Sequence, residues 1–264
     1  TCTHCLVSSS PSGDRGLPTK QLIRVIDELA ELGVGRFYFT GGEPFARPDI
    51  FDLIAHVTGA KQAELIILTN ATLFQGERAR RLGDCNRTRV KLQVSVDGAT
   101  PSTNDPIRGE GAFAAATAGL RQASELGFDT SLTTVVTGRN AHELTQLTQL
   151  AKALGAKHQH LMWLHKRGRV MEGSDGFFVE PQTLVDIVRA VKRRADELGI
   201  LVDNYESLAL RVNGRPHVKY DLGSQGWSSV CVYADGHVYP SAAMANHPPL
   251  DCGQALNGLS LKEL

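Results

Sequence analysis

Cys2 and Cys5 frame the segment Thr1-Cys2-Thr3-His4-Cys5, a Cys-x2-Cys pair. That spacing brings two thiolates together on a tight turn, where they suit a zinc ion, an iron–sulfur cluster or a dithiol redox couple. The pair alone does not choose among these, and two incidental cysteines would look the same. A zinc site wants two more close ligands, yet no second Cys-x2-Cys pair follows. A dithiol motif usually opens a helix, whereas residues 8–16 here are rich in Ser, Pro and Gly.

The segment Thr40-Gly41-Gly42-Glu43-Pro44 follows a run that reads as a strand. Its glycines let a ligand approach the backbone closely, and their N–H and C=O groups can bind a small polar ligand. Glu43 would stand at the strand's mouth. An ordinary strand-to-helix turn is punctuated in the same way. Asp97 ends another strand, just before Gly98. It can contact a ligand, move a proton, or simply cap the turn. The run His165-Lys166-Arg167-Gly168-Arg169 can hold an anion, but a charge run reads first as a solvated loop.

The elements that must position these residues alternate. Residues 36–40, 65–70, 91–97, 130–137 and 160–164 are short, apolar, β-branched or aromatic runs that read as buried strands. Helical spacing joins Leu22, Ile26, Leu29 and Leu32, with Thr19 as N-cap and Gly33 as stop. Further helices start at Pro48, run over 75–82, and carry Phe113, Thr117 and Leu120. Asn140 with Glu143 reads as a capping box for the next, and the last carries Leu184 to Ala195 and stops at Gly199. Strands alternating with helices imply a parallel sheet, as a barrel or as an open doubly wound sheet, with chemistry at the strands' C-terminal ends. After Gly199 the helical pattern fades and turn residues multiply, which places a boundary near Tyr205.

Composition narrows the class. Lys plus Arg number 28 and Asp plus Glu number 28, so no global field favours nucleic acid. No apolar run approaches the roughly 20 residues of a membrane helix. Five cysteines, an odd count without a signal peptide, argue against a disulfide framework and for a cytoplasmic protein with a metal or redox site.

Taken together, the two motifs resemble the radical S-adenosylmethionine superfamily. Its signature is Cys-x3-Cys-x2-Cys, followed by Gly-Gly-Glu-Pro after the next strand. Cys2 and Cys5 match the last two cysteines, so the first is expected four residues before Cys2, ahead of Thr1. The five strands counted are then the family's six without the first. Downstream, Thr69-Asn70-Ala71 resembles a Thr-Asn-Gly segment. Ser95-Val96-Asp97-Gly98, Asp105-Pro106-Ile107-Arg108 and Gly111-Ala112-Phe113 resemble the peptide-modifying branch of the family.

The resemblance implies an α/β fold, a partial (β/α)6 TIM-like barrel over residues 1–205, with a [4Fe–4S] cluster on Cys2 and Cys5. It implies S-adenosylmethionine held by Gly41, Gly42, Glu43, Pro44, Asn70, Ser95, Asp97 and Arg108. Arg108 would offer its fork to the methionine carboxylate or face the ribose, unless it is a surface arginine. His4 would pack around the cluster without binding it.

Residues 206–264 resemble the start of a SPASM extension. Cys231 opens a hairpin with Asp235-Gly236 at its turn, and Ser241 stands where that pattern has cysteine. Residues 253–264 resemble the segment that follows, and a cysteine-rich remainder is expected beyond Leu264. Cys231 is therefore a candidate ligand of an auxiliary cluster, with Cys252 a weaker one; either could equally be a buried small residue. Cys85 has no assigned role.

The implied activity is reductive cleavage of S-adenosylmethionine to a 5′-deoxyadenosyl radical that takes hydrogen from a peptide or protein side chain. A flavodoxin or ferredoxin would supply the electron, and neither nucleic acid nor a membrane is expected as partner. The alternatives are a small-molecule or tetrapyrrole substrate, or a degenerate member that binds peptide without radical chemistry.

Overall fold

The computed structural model describes residues 2–10, 16–173, 176–213, 226, 228–256 and 260–263, with side chains left out for 210–213. Thr1, residues 257–259 and Leu264 of the SPASM-like segment lie outside the described residues.

Six strands form one sheet in the order β1-β2-β3-β4-β5-β6, all parallel. They are β1 (Arg36–Phe39), β2 (Glu64–Thr69), β3 (Val90–Ser95), β4 (Asp129–Val136), β5 (His158–Trp163) and β6 (Leu201–Val202). The connecting helices are α1 (Thr19–Glu31), α2 (Ile50–Ala55), α3 (Gly76–Gly83), α4 (Pro101–Arg108), α5 (Ala112–Glu125), α6 (Leu144–Ala153), α7 (Pro181–Leu198) and α8 (Tyr205–Asn213). Strand order equals chain order. With right-handed crossovers every connecting helix then falls on the same face. This is the barrel type of winding; a doubly wound sheet would reverse its order part-way.

The two faces of the sheet differ as the strand period of two requires. Leu65, Ile67, Leu92, Val94, Leu132 and Val136 point outward and form one core with helix residues such as Phe51, Ile54, Leu120, Leu147 and Val188. The alternate residues point to the concave face, which is largely polar: Gln93, Ser95, Ser131, Thr133 and His160 stand there, in a register that pairs Ser95 with Thr133 and Thr133 with His160.

Several expectations are corrected. A sixth strand does exist, but it is the two-residue β6 at the far edge, too short for a periodicity to register. The Asp105–Arg108 motif lies on a helix, α4, which begins at Pro101 and contains Pro106. Thr19 is the first helical residue rather than the cap, and its hydroxyl donates to Asp49 Oδ2 at 2.6 Å. Asn140 and Glu143 make no capping box. Asn140 accepts from Thr137 N and donates to the Asp97 and Val135 carbonyls, while Glu143 accepts from Ala99 N and the hydroxyls of Thr100 and Thr103. Helix also continues past Gly199, in α8.

Towards the C-terminus stands the antiparallel hairpin β7 (Cys231–Val232) and β8 (Val238–Tyr239), with Gly236 in the left-handed region at its turn. It packs on α1, where Val25, Val238 and Ala255 share a small core. Among the described residues, no helix is long and apolar enough to cross a membrane.

Candidate cofactor site

The cysteine turn is held from a distance. Cys5 N donates to Cys2 O at 3.4 Å, and both thiols are free and half-buried. Thr3 donates from N and Oγ1 to Ile107 O, at 2.8 and 3.2 Å, which fastens the turn to the end of α4. Arg169 reaches in from the loop after β5. Its Nε donates to Cys2 O at 2.8 Å, its Nη1 to Ser9 O at 2.9 Å and its backbone N to Cys5 O at 3.1 Å. Beside it Gly168 has φ +63, and a Cβ there would meet Cys5 O at 2.2 Å and Leu6 O at 2.5 Å. Only glycine lets this loop lie on the turn.

The run 165–169 is therefore more than a solvated loop. Arg167 donates to the Ala243 and Ala245 carbonyls and so ties the loop to the chain after β8. Lys166 Nζ stands 4.8 Å from the Phe178 ring centroid.

Asp97 is fully buried one residue beyond Val96 at the mouth of β3. Its Oδ2 lies 2.7 Å from His4 Nε2 and 2.7 Å from Arg108 Nε, and its Oδ1 accepts from Val135 N at 2.9 Å. The Arg108 contact is an ion pair rather than an aligned hydrogen bond. Burial would push the carboxyl up, but the charges of Arg108 and His4 and the hydrogen bonds it accepts hold it well below the usual carboxylate range. A carboxylate held in this way is a poor proton acceptor. Its role here is to anchor His4 and Arg108. Sequence reasoning gave His4 a packing role only; nothing in the Cys-Thr-His-Cys spacing announces a partner on another strand.

Arg108 is not a surface arginine. Its side chain is 9% exposed, and its Nη1 lies 3.9 Å from Cys2 Sγ. Both of its contacts are anionic or potentially so, which pushes its own pKa up against the opposing effect of burial.

The Gly-Gly-Glu-Pro segment joins the same neighbourhood. A Cβ on Gly42 would lie 3.7 Å from the Ser9 Cβ, and Ser9 Oγ lies 3.5 Å from Cys5 Sγ. Gly41 has φ +108 with open space beside it, and both glycines are exposed. Glu43 turns inward. It accepts from Phe45 N at 3.1 Å, Thr69 Oγ1 at 2.6 Å and Asn70 N at 2.7 Å, and so clamps the ends of β1 and β2 together. Burial pushes its carboxyl up, against those bonds and the nearby Arg108. Pro44 is buried at the start of a short 3-10 turn. Asn70 closes the next turn by accepting from Thr72 N at 2.9 Å, while Ala71 takes the left-handed conformation at φ 55. Ser95 is half-buried on the concave face at the end of β3.

The donor chemistry fits two of the three protein ligands of an iron–sulfur cluster. Burial would push the Cys5 thiol up, yet hydrogen bonds from Ser9 and Val7 and the charge of Arg169 bring it below its ordinary value. Arg108 places a cation at Cys2. Two thiols beside two guanidinium groups suit ligands that must bind as thiolates. Cys231 differs. Burial pushes its thiol up, and among the described residues no group of three or more His, Cys, Asp or Glu side chains converges on it or elsewhere. Ser241 Oγ is buried without a hydrogen-bond partner.

Known proteins resemble this chain at both levels. It is 36% identical over 178 residues to the AdoMet-dependent heme synthase of Methanosarcina barkeri, covering 66% of this chain and 50% of that protein. It is 38% identical over 158 residues to the mycofactocin maturase MftC of Mycobacterium ulcerans, covering 59% of this chain and 42% of that protein. The chain thus spans about half the length of the curated relatives it matches. The fold matches Streptococcus suis SuiB, solved with its precursor peptide SuiA, at TM-score 0.77 and 14% identity, over 100% of this chain and 61% of that one. The partial barrel expected from sequence is therefore the fold that this chain has. The sequence model of the Radical SAM superfamily matches residues 1–151, and the chain belongs to that superfamily.

Proposed function

We propose that this chain is the cofactor-binding core of a radical enzyme that cleaves S-adenosylmethionine and takes a hydrogen atom from its substrate. The cofactors of the superfamily are a [4Fe–4S] cluster and S-adenosylmethionine; when bound, they supply a 5′-deoxyadenosyl radical. One observation carries the reading. Gly42 and Arg108 lie far from Cys2 and Cys5 in the chain yet adjoin the turn that carries them, with Ser9 between Gly42 and Cys5.

The chain's own residues bind and orient. Cys2 and Cys5 hold the cluster; Ser9 and Arg169 favour the Cys5 thiolate, and Arg108 stands beside Cys2. The open backbone at Gly41 and Gly42 receives the methionine end of S-adenosylmethionine. Glu43, Pro44 and Asn70 shape that edge, and Ser95 faces the same concavity. Asp97 fixes Arg108 rather than exchanging protons. Residues 206–264 form the start of a separate extension, and Cys231 is its candidate ligand for an auxiliary cluster. A small electron-transfer protein of the flavodoxin or ferredoxin type is the reductant.

Two substrate classes follow from the relatives. The motifs over 95–113 resemble the peptide-modifying branch, and a mycofactocin maturase is among the relatives. The heme synthase relative favours a tetrapyrrole. The test is an anaerobic assay of the full-length protein, reconstituted with iron and sulfide and given dithionite and S-adenosylmethionine. It should release 5′-deoxyadenosine, and the Cys2→Ala, Cys5→Ala variant should not. A folded protein that holds no cluster would sink the reading.

A further inference from the structure

Asp97 lies past the end of the ladder between β3 and β4, whose last pair is Ser95 with Thr133. One further backbone bond follows, from Val96 N to Thr133 O at 2.9 Å. Beyond it, side chains join the two strands. Thr134 Oγ1 donates to Val96 O at 2.6 Å, and Val135 N donates to Asp97 Oδ1 at 2.9 Å. Asn140 Nδ2 donates to Asp97 O at 2.8 Å and to Val135 O at 2.9 Å. On its other flank Asp97 N donates to Asn104 Oδ1 at 2.9 Å. A Cβ on Gly98 would meet Asn104 N at 2.5 Å and Thr103 Cβ at 2.8 Å, so the chain leaves Asp97 pressed against α4.

Asn140 has no freedom left in this set. It is 0% exposed, and its Oδ1 accepts from Thr137 N at 2.8 Å and from Thr137 Oγ1 at 3.0 Å. Both hydrogens and both lone pairs of the amide are therefore used. Turning the amide over would set Nδ2 against the Thr137 N–H and Oδ1 against two carbonyls, so one orientation alone fits. The two bonds to Thr137 would by themselves close the turn over 137–140, which is the ordinary work of a turn Asn. The bond to Asp97 O crosses to a segment 43 residues away and does something more. Fully buried and saturated, Asn140 cannot touch a ligand. It fixes the peptide from which the Asp97 carboxylate projects, and Oδ2 of that carboxylate lies 2.7 Å from both His4 Nε2 and Arg108 Nε.

We propose that Asn140 is a positioning residue of the S-adenosylmethionine site, acting through Asp97 on Arg108 and His4. Arg108 is the side chain expected to meet the methionine carboxylate or the ribose, and His4 ties the cysteine turn to the end of β3. Without the Asn140 amide the Asp97 peptide is free to rotate, and its carboxylate swings with it. A displacement of about 1 Å in a positioning group can cost on the order of a hundredfold in function. The role towards S-adenosylmethionine rests on the radical-enzyme reading; the hold on Arg108 and on the cysteine turn does not.

The test has two arms on the full-length protein, with Asn140→Ala and the milder Asn140→Ser, which keeps a small polar group, and melting temperature read alongside. The first arm needs no cofactor: hydrogen exchange of the cluster-free protein is followed by mass spectrometry. Thr3 N, which donates to Ile107 O, should exchange about tenfold faster in the variants, while α7 exchanges as in the native chain. A residue that only closed its own turn would speed exchange around 135–140 alone, and that result overturns the proposal. The second arm measures S-adenosylmethionine binding by calorimetry on the reconstituted protein without reductant, so that nothing is cleaved. Affinity should fall about tenfold in Asn140→Ala, the effect of about one hydrogen bond. In an Arg108→Lys background, where the fork that Asn140 positions is already gone, the same substitution should change affinity by less than about twofold. An unchanged affinity in folded Asn140→Ala, or an undiminished loss beside Arg108→Lys, overturns the proposal. A native protein that takes up neither cluster nor S-adenosylmethionine counts against the radical-enzyme reading, and hydrogen exchange then decides the hold on the turn by itself.

Discussion

His4 Nε2 stands 2.7 Å from Asp97 Oδ2 although 93 positions separate the two residues. The histidine between Cys2 and Cys5 is thereby bonded to the mouth of β3. The same oxygen pairs with Arg108, which reaches Cys2. Removing the charge of Asp97 leaves a buried guanidinium without its countercharge. Asp97→Asn should cost about 3 kcal/mol of stability, the range for breaking one side of a buried pair. Urea unfolding measures it, and a change below 1 kcal/mol would contradict this account.

The same pair has a pH signature. The folded value of Asp97 lies below its unfolded value of about 3.9. Its contribution is then full above that unfolded value and is lost as pH falls through the folded one. The stability gap between the native chain and Asp97→Asn should therefore narrow below about pH 4. Melting temperatures of both proteins across that range provide the check.

Thiol reactivity should follow the same local fields. The Cys5 thiol is lowered, whereas burial and Asp84 push Cys85 up to about 11, and burial raises Cys231. In the cluster-free protein at pH 8, a small alkylating reagent should label Cys5 well before Cys85 or Cys231. Peptide mass spectrometry over a time course reads the order. Labelling of Cys85 first would show that the Ser9 and Arg169 contacts do not act on Cys5.

Gly168→Ala should disturb the cysteine turn without touching a thiol. Its Cβ would meet backbone oxygens of Cys5 and Leu6, which cannot swing away as a side chain can. The left-handed φ adds about 1 kcal/mol, and overpacking of this kind costs about 1–3 kcal/mol. Iron content after reconstitution should fall by at least half, while Gly173→Ala, which has open space beside it, should load normally.

The sheet and most helices were legible because their signal is local. Short apolar runs marked β1 to β5, and Gly33 and Gly199 punctuated the helices as expected. β6 escaped because two residues carry no period, and α4 because a short helix that buries only Asn104 and Ile107 shows no apolar stripe. The Asn140–Glu143 capping box failed for a tertiary reason. Both side chains are claimed by groups around Asp97 and α4, which offer buried partners that the local backbone does not. In the site, the Cys-x2-Cys and Gly-Gly-Glu-Pro segments were visible as motifs. The roles of His4, Arg169 and Gly168 were not, since each is defined by a partner on a distant segment.

That distance also sets an order of events. The hydrogen bonds on the cysteine turn come from Ile107, 104 residues away, and from Arg169, 167 residues away in its bond to Cys2. Contacts of such separation bear the full entropy of loop closure before they return any energy. The turn therefore takes its final shape only after β5 has joined the sheet and the loop beyond it has formed. A chain still emerging during synthesis has both thiols but not yet the Arg169 charge that helps to lower the Cys5 thiol. If Cys2 and Cys5 hold the cluster as proposed, its loading is expected at the end of folding rather than at its beginning.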